Sequence, residues 1–258
     1  MSRKVWICVS MAGLLALAGS AHAGNEFNWT NGTGNQSWNT SGNWDQGSVP
    51  TDAVGAEAQI DMTGADGCIV AADGDASQVL LGKYADGEMT VNSGATLSVL
   101  AWVTYLGHNA GNTGTLNMNG GTWIQDGMKV AVGNDGHGVL NMNAGLMQIV
   151  NNESICIPHP SGAGTGEVYL YGGTIEAEWF YMDADGYMDI TEGTLKIRND
   201  PGVAGYIANE WIVGYGGAGE VFHDTTTNPG WTTVWATPEP LSLVLLALGG
   251  LVGLRRRR

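Results

Sequence analysis

One repeat governs what this chain can fold into. An apolar residue followed by a turn residue closes a short strand at Leu81-Gly82, Leu106-Gly107, Val132-Gly133, Ile157-Pro158, Met182-Asp183 and Val213-Gly214, at spacings of 25, 26, 25, 25 and 31 residues. After each of the first five comes a glycine-containing turn, a second alternating strand and a corner at Ser93-Gly94, Gly120-Gly121, Ala144-Gly145, Gly172-Gly173 or Glu192-Gly193, then a third strand. Three short strands per roughly 25 residues is the period of a parallel β-solenoid, whose coils stack along one axis and touch only their neighbours. The expected fold is all-β: a right-handed parallel β-helix of about five to six coils over residues 69–223.

Alternation within the strands predicts which side chains point inward. In the first strand the inward ladders are Val79 and Leu81, Thr104 and Leu106, Val130 and Val132, Ile155 and Ile157, Phe180 and Met182, Trp211 and Val213. The residues between them, Leu80, Tyr105, Ala131, Cys156, Tyr181 and Ile212, are expected to face out. The second strand predicts Met89 and Val91, Leu116 and Met118, Leu140 and Met142, Val168 and Leu170, Met188 and Ile190 inside. Asn92, Asn119 and Asn143 recur at one phase, where their amides can bond from coil to coil. The 41 glycines are expected to supply positive φ at the corners.

Both ends of the chain read as addresses. Pro238, Glu239 and Pro240 precede an apolar run over residues 241–254 and then Arg255, Arg256, Arg257 and Arg258. An apolar run bounded by arginines predicts a short transmembrane helix with its basic end on the cytoplasmic side. This tripartite tail resembles the sorting signal of the PEP-CTERM family. The resemblance implies recognition by an exosortase, a membrane-embedded cysteine protease or transpeptidase that cuts near the tripeptide and passes the protein to the cell surface. At the other end Arg3 and Lys4 lead an apolar stretch, and Ala21 and Ala23 supply the small residues a signal peptidase reads. Cleavage is predicted before Gly24, making residues 1–23 a signal peptide; an uncleaved N-terminal anchor is the rival reading.

Residues 24–68 hold Trp29, Trp38, Asn43-Trp44 and Val49-Pro50-Thr51-Asp52. This pattern looks like the leading segment of autotransporter-type β-helical repeat proteins and implies a cap on the first coil. Residues 224–237 are expected to form a far-end cap or a stalk to the sorting segment at 238–258.

Between Gly24 and Thr237 the basic residues are Lys83, Lys129, Lys196 and Arg198, against every one of the chain's 25 acids except Glu239, so 4 against 24 leaves −20. Such a surface repels nucleic acid and anionic lipid, and suits solubility, cationic partners or divalent cations. Lyase chemistry on acidic sugars wants basic clusters that four scattered cations do not supply. Paired carboxylates for glycoside hydrolysis remain open in principle, because separations are not legible in sequence. No serine carries a nucleophile motif. With Cys68 and Cys156 left after signal removal, no disulfide framework is available.

Two candidate sites stand out. Asp183, Asp185 and Asp189 crowd around Gly186 and offer oxygen ligands for calcium, without the full spacing of a calcium loop; a plain turn is the rival reading. Tyr105 and Tyr181, with Trp102 and Trp179 close by, lie on one outward face and offer rings that stack on sugars. The combined expectation is an exported cell-surface or matrix solenoid, first membrane-anchored and then released by processing, with a structural or adhesive role. A carbohydrate-binding module of an exopolysaccharide layer is the alternative, and a polysaccharide-degrading β-helix enzyme a more remote one.

Overall fold

The structure is a computed structural model that describes residues 25–200 and 202–239. The signal segment with Ala21, Ala23 and Gly24, the apolar run at 241–254, Pro240 and Arg255 to Arg258 lie outside the described residues. Among those described, no helix is long and apolar enough to cross a membrane.

The described strands hydrogen-bond into one continuous sheet that winds on itself for about six turns. Three parallel ladders run up it. The first stacks Asn25–Asn28, Ala56–Ile60, Gln78–Leu81, Thr104–Leu106, Val130–Val132, then residues 154–157 and 179–182. The second stacks Cys68–Val70, Gly87–Asn92, residues 113–119 and 137–142, Thr165–Leu170, Gly186–Ile190 and Ile212–Gly214. The third stacks Gly74–Ala76, Thr96–Val99, residues 122–125, 146–149 and 174–177, and Thr194–Asn199. The strand His137–Ile157 passes through all three ladders without losing its pairing, because its corners are register shifts near Ala144 and between Ile149 and Ser154. A bulge bends a strand while leaving its neighbours bonded.

The interior is filled as the alternation predicts. Leu116, Leu140, Val168 and Met188 form one continuous row, each fully buried and in register with the next. Burying each such side chain contributes about 1.5–3 kcal/mol. Two polar residues share this interior without being orphaned: Gln125 accepts from the Thr104 hydroxyl at 2.8 Å and donates to the Trp102 carbonyl at 2.7 Å.

The glycines divide into two groups. At the corner glycine Gly94, φ is +83° and a Cβ would meet nothing within 4 Å, so conformation alone selects glycine there. Gly87, Gly114, Gly138, Gly166 and Gly186 instead stack in register at the start of the second ladder. A Cβ there would lie 1.9 Å from the Ile60 carbonyl oxygen, 2.5 Å from Leu81, 2.6 Å from Leu106, 2.0 Å from Val132 and 2.1 Å from Ile157, in that order. These five are required by close approach of backbone, from the preceding coil at each and also from their own turns, at Gly107 and Gly133, for Gly114 and Gly138; positive φ plays no part, which corrects the uniform corner role expected of the glycines.

Both ends are capped, as an exposed ladder edge demands. At the start, Trp29 and Trp38 pack edge-on against Trp44, with centroids 5.0 and 4.9 Å apart, and all three are buried. Fully buried Asn43 fastens the loop around them: its Oδ1 accepts from the Thr33 amide and hydroxyl, and its Nδ2 donates to Asn35 and to the Ser37 carbonyl. The stacked strands already begin at Asn25–Asn28, with Ala56–Ile60 next, within the segment expected to cap them. At the far end the helix Val203–Ala208 sets Tyr206 against Phe180 (5.7 Å), and a hairpin of Gly219–Asp224 and Thr232–Pro238 lies antiparallel along Thr194–Asn199. Of the 224–237 segment, the strand beginning at Thr232 pairs with the last coil.

The last repeat departs from expectation. Trp211 and Val213 are not inward members of the first ladder. Ile212 is buried and sits over Met188 in the second ladder, while Trp211 and Val213 are partly exposed. The helix precedes Ile212–Gly214 in that coil, and the final spacing of 31 residues runs from a first-ladder position, Met182, to a second-ladder one, Val213.

Candidate functional site

The outer faces, not the interior, carry the chemistry of this molecule. On the first ladder the outward row is Gln59, Leu80, Tyr105, Ala131, Cys156 and Tyr181. Leu80, Ala131 and Cys156 lie apart from the central core cluster, as expected of outward residues, yet they are buried. The cover comes from rings: Tyr105 is edge-on to His108 at 5.0 Å and reaches His159, two coils on, at 5.9 Å, so the pair bridges the small Ala131 between them. Burial pushes the His108 and His159 imidazoles below their ordinary value and keeps them neutral at neutral pH; it also pushes the Tyr105 phenol up, with the Asp135 charge adding to it.

The structure does not assemble Tyr105 and Tyr181 into a platform. Ala131 and Cys156 separate them on the ladder, histidine rings pack against Tyr105, and the Tyr181 hydroxyl donates to Asp183 Oδ2 at 3.1 Å. Trp102 and Trp179 are partly exposed at the corner leading into this ladder, and Trp179 Nε1 donates to Asn152 Oδ1 at 2.9 Å.

The aspartates have a structural occupation. Asp183 Oδ1 accepts the Asp185 amide at 3.0 Å, and Asp189 Oδ1 accepts the Gly216 amide at 2.9 Å. Among the described residues no three His, Cys, Asp or Glu side chains are arranged to hold a metal ion. The Asp189 contact, made from within a strand, has counterparts at the corners, where a carboxylate accepts backbone amides of the next coil. Asp61 accepts Lys83 and Tyr84 at 2.6 and 3.0 Å, Asp73 accepts Thr96 at 2.8 Å, and Asp86 accepts Thr113 at 2.7 Å. Turns expose amides that the ladders cannot pair, and a carboxylate is a strong acceptor for them. Part of the acidic surplus thus fastens coil to coil.

The second ladder presents a different outer face. Its outward row runs Asn117, Asn141, Tyr169, Asp189 in successive coils, with Thr115, Val139, Glu167 and Tyr187 beside it. Asn141 Nδ2 donates to Asn117 Oδ1 at 2.8 Å, and Asn117 Nδ2 donates to Glu88 Oε1 at 2.9 Å. Of the amide row expected at Asn92, Asn119 and Asn143, the link from Asn143 Nδ2 to Asn119 Oδ1 forms at 2.8 Å. Three tyrosines gather at the far end of this face. Tyr169 and Tyr171 are parallel within 7° at 5.7 Å, and Tyr187 of the next coil stands at 62° to Tyr169 at 6.2 Å. The Tyr169 hydroxyl donates to Glu167 Oε2 at 2.7 Å, which pushes its pKa up to about 12. Burial, then the charges of Asp189 and Glu167, push Tyr187 up as well. Tyr171 is 45% exposed.

No family model, curated protein or solved structure matches the chain. What the molecule can do is therefore read from these faces. The Tyr169, Tyr171 and Tyr187 group was not singled out from sequence. Its signal was present in the Tyr-Leu-Tyr spacing, which puts Tyr169 and Tyr171 on one face of a strand, but the coil-to-coil register that adds Tyr187 needs the structure.

Proposed function

We propose that this protein is an exported scaffold of the cell surface or extracellular matrix, structural or adhesive in role and without catalysis. The coils wind right-handed in this reading, the hand that parallel strand connections adopt. The observation that carries it is where the sorting tail begins. Pro238 is the last residue of the closing hairpin, in register with Gly219, and the Glu239 amide reaches the Ala218 carbonyl at 3.4 Å. The Pro-Glu-Pro segment is thus joined to a finished cap, and a cut at that junction leaves every ladder whole.

The order of events follows from the two ends. A signal peptidase removes residues 1–23, the apolar segment 241–254 holds the protein in the membrane with Arg255 to Arg258 inside, and an exosortase-type enzyme transfers the body outward. Support for a non-catalytic role comes from the packed interior and from carboxylates committed to backbone amides. Adhesion would fall to the outer faces, with exopolysaccharide as the natural partner in that layer.

Replacing Pro238, Glu239 and Pro240 together by alanine tests the reading in the native host. The expected outcome is a shift of the protein from the surface and extracellular fractions into the cytoplasmic membrane fraction, still carrying its tail. An unchanged distribution would remove the tail from the sorting process and the proposal with it.

A further inference from the structure

We propose that the outer face of the second ladder, from Asn117 to Asp189, binds a neutral polysaccharide chain laid along the solenoid axis. The proposal rests on the surface-scaffold reading and gives its adhesive face a ligand class. Three observations converge on it.

The first is the aromatic group. A pyranose ring has an apolar C–H face that packs on an aromatic ring and a rim of hydroxyls that needs hydrogen-bond partners. Tyr171 is exposed and is held parallel to Tyr169, while Tyr187 stands beside them from the next coil. The Glu167 carboxylate orders the Tyr169 hydroxyl at 2.7 Å, so the rings are positioned before any ligand arrives. Rings fixed in advance lose little conformational freedom on binding.

The second is the row of polar groups that continues from the rings. Asn141 lies directly beside Tyr169 in register, Asn117 beside Asn141, and Asp189 beside Tyr169 on the other side. Each coil supplies one such group at the rung spacing of about 4.8 Å. That is close to one sugar unit per coil, so an extended chain lying along the axis meets a partner at every step. A small ligand would use one end of this row, whereas a polymer uses all of it.

The third is charge. The outward charged groups on this face are the carboxylates Glu88, Glu167 and Asp189. Lys83 is paired with Glu57 on the first ladder, and Lys196 and Arg198 are paired with Glu176 and Glu178 on the third. Polyuronates, sulfated glycans and nucleic acids meet repulsion here, while the hydroxyls of a neutral glycan meet acceptors.

The test uses the full chain purified in detergent and run by affinity electrophoresis through gels containing a neutral glucan, a neutral mannan or polygalacturonate. Retardation by a neutral polymer and none by polygalacturonate is expected. Tyr171→Ala should weaken binding by about tenfold, the scale of one lost ring contact, and Tyr171→Ala with Tyr187→Ala should weaken it further. Tyr84→Ala, at a 66% exposed tyrosine beside Lys83 in the turn before Gly87, outside the Asn117-to-Asp189 stretch, should change nothing. Tyr171 is exposed, so its replacement keeps the fold, and a thermal melt of each variant checks that.

Absence of retardation by both neutral polymers, equal retardation of the double variant, or preference for polygalacturonate would each overturn the proposal. So would a change of oligomeric state in the Tyr171→Ala variant without glycan, which would make this face a contact between copies. Surface fractionation is independent of these outcomes. A surface protein that binds no glycan loses this inference alone, and a glycan binder that never leaves the cell loses the scaffold reading.

Discussion

Leu140→Asp is expected to abolish cooperative unfolding. Leu140 is fully buried, with Leu116 of the preceding coil on one side and Val168 of the next on the other. An aspartate there faces apolar groups in both directions and finds no water or cation. Leaving a buried ion unpaired, or protonating it and still losing the leucine's packing, costs several kcal/mol, which is comparable to the about 5–15 kcal/mol of a whole domain. The position matters as much as the chemistry, because each coil in a solenoid is supported by its two neighbours, and a fault in a middle coil divides the stack. The adjacent residue Asn141 faces out, so Asn141→Asp is a control whose cost is the lost donation to Asn117, about 1 kcal/mol. Far-UV circular dichroism melts of the three proteins decide the matter. A sigmoidal transition for Leu140→Asp within about 1 kcal/mol of the parent would contradict the inward assignment of the second ladder.

Gly166→Ala should destabilise the protein more than Gly94→Ala, although both remove a glycine from near a corner. At Gly166 the new Cβ would lie 2.0 Å from the Val132 carbonyl oxygen of the coil below, and that oxygen is backbone and cannot swing aside. Coil spacing is fixed by the ladder hydrogen bonds, so the methyl group has to push two coils apart. The expected cost is about 3 kcal/mol, the upper end for overpacking. At Gly94 the methyl group meets open space, and the cost is the left-handed backbone conformation, about 1–2 kcal/mol. Denaturant midpoints at constant slope give both values. The reverse order would show that coil spacing does not depend on the glycine ladder.

The contrast between these glycines shows what was legible in the sequence. Strand alternation is local, so it places Met89, Leu116, Leu140, Val168 and Met188 inside without any knowledge of neighbours. The repeat period is equally visible, and so is the tryptophan-rich cap, since Trp29, Trp38 and Trp44 stand together in the chain. Features that arise between coils are not. Gly166 reads as a turn glycine until Val132 is laid beneath it. Asp61, Asp73 and Asp86 read as surface charge until the next coil's amides are laid above them. Trp211 and Val213 kept the alternation of a first strand, yet the strand that follows the helix Val203–Ala208 joins the second ladder, and Ile212 is inside instead.

The same reasoning separates the two aromatic faces. Tyr105 and Tyr181 share a phase in the repeat, which made them visible, but Ala131 lets the ring of Tyr105 fold down toward His159 and removes it as a platform. Tyr169, Tyr171 and Tyr187 share no repeat position and meet through register, with Glu167 beside Tyr187 and Tyr169 beside Asp189.

Mass spectrometry of both ends of the protein recovered from the native cell surface tests the exported-scaffold account most directly. The account predicts a chain that starts at Gly24 and ends near Pro238, lacking Arg255 to Arg258. Surface material that still carries Met1 and Arg258 would contradict it.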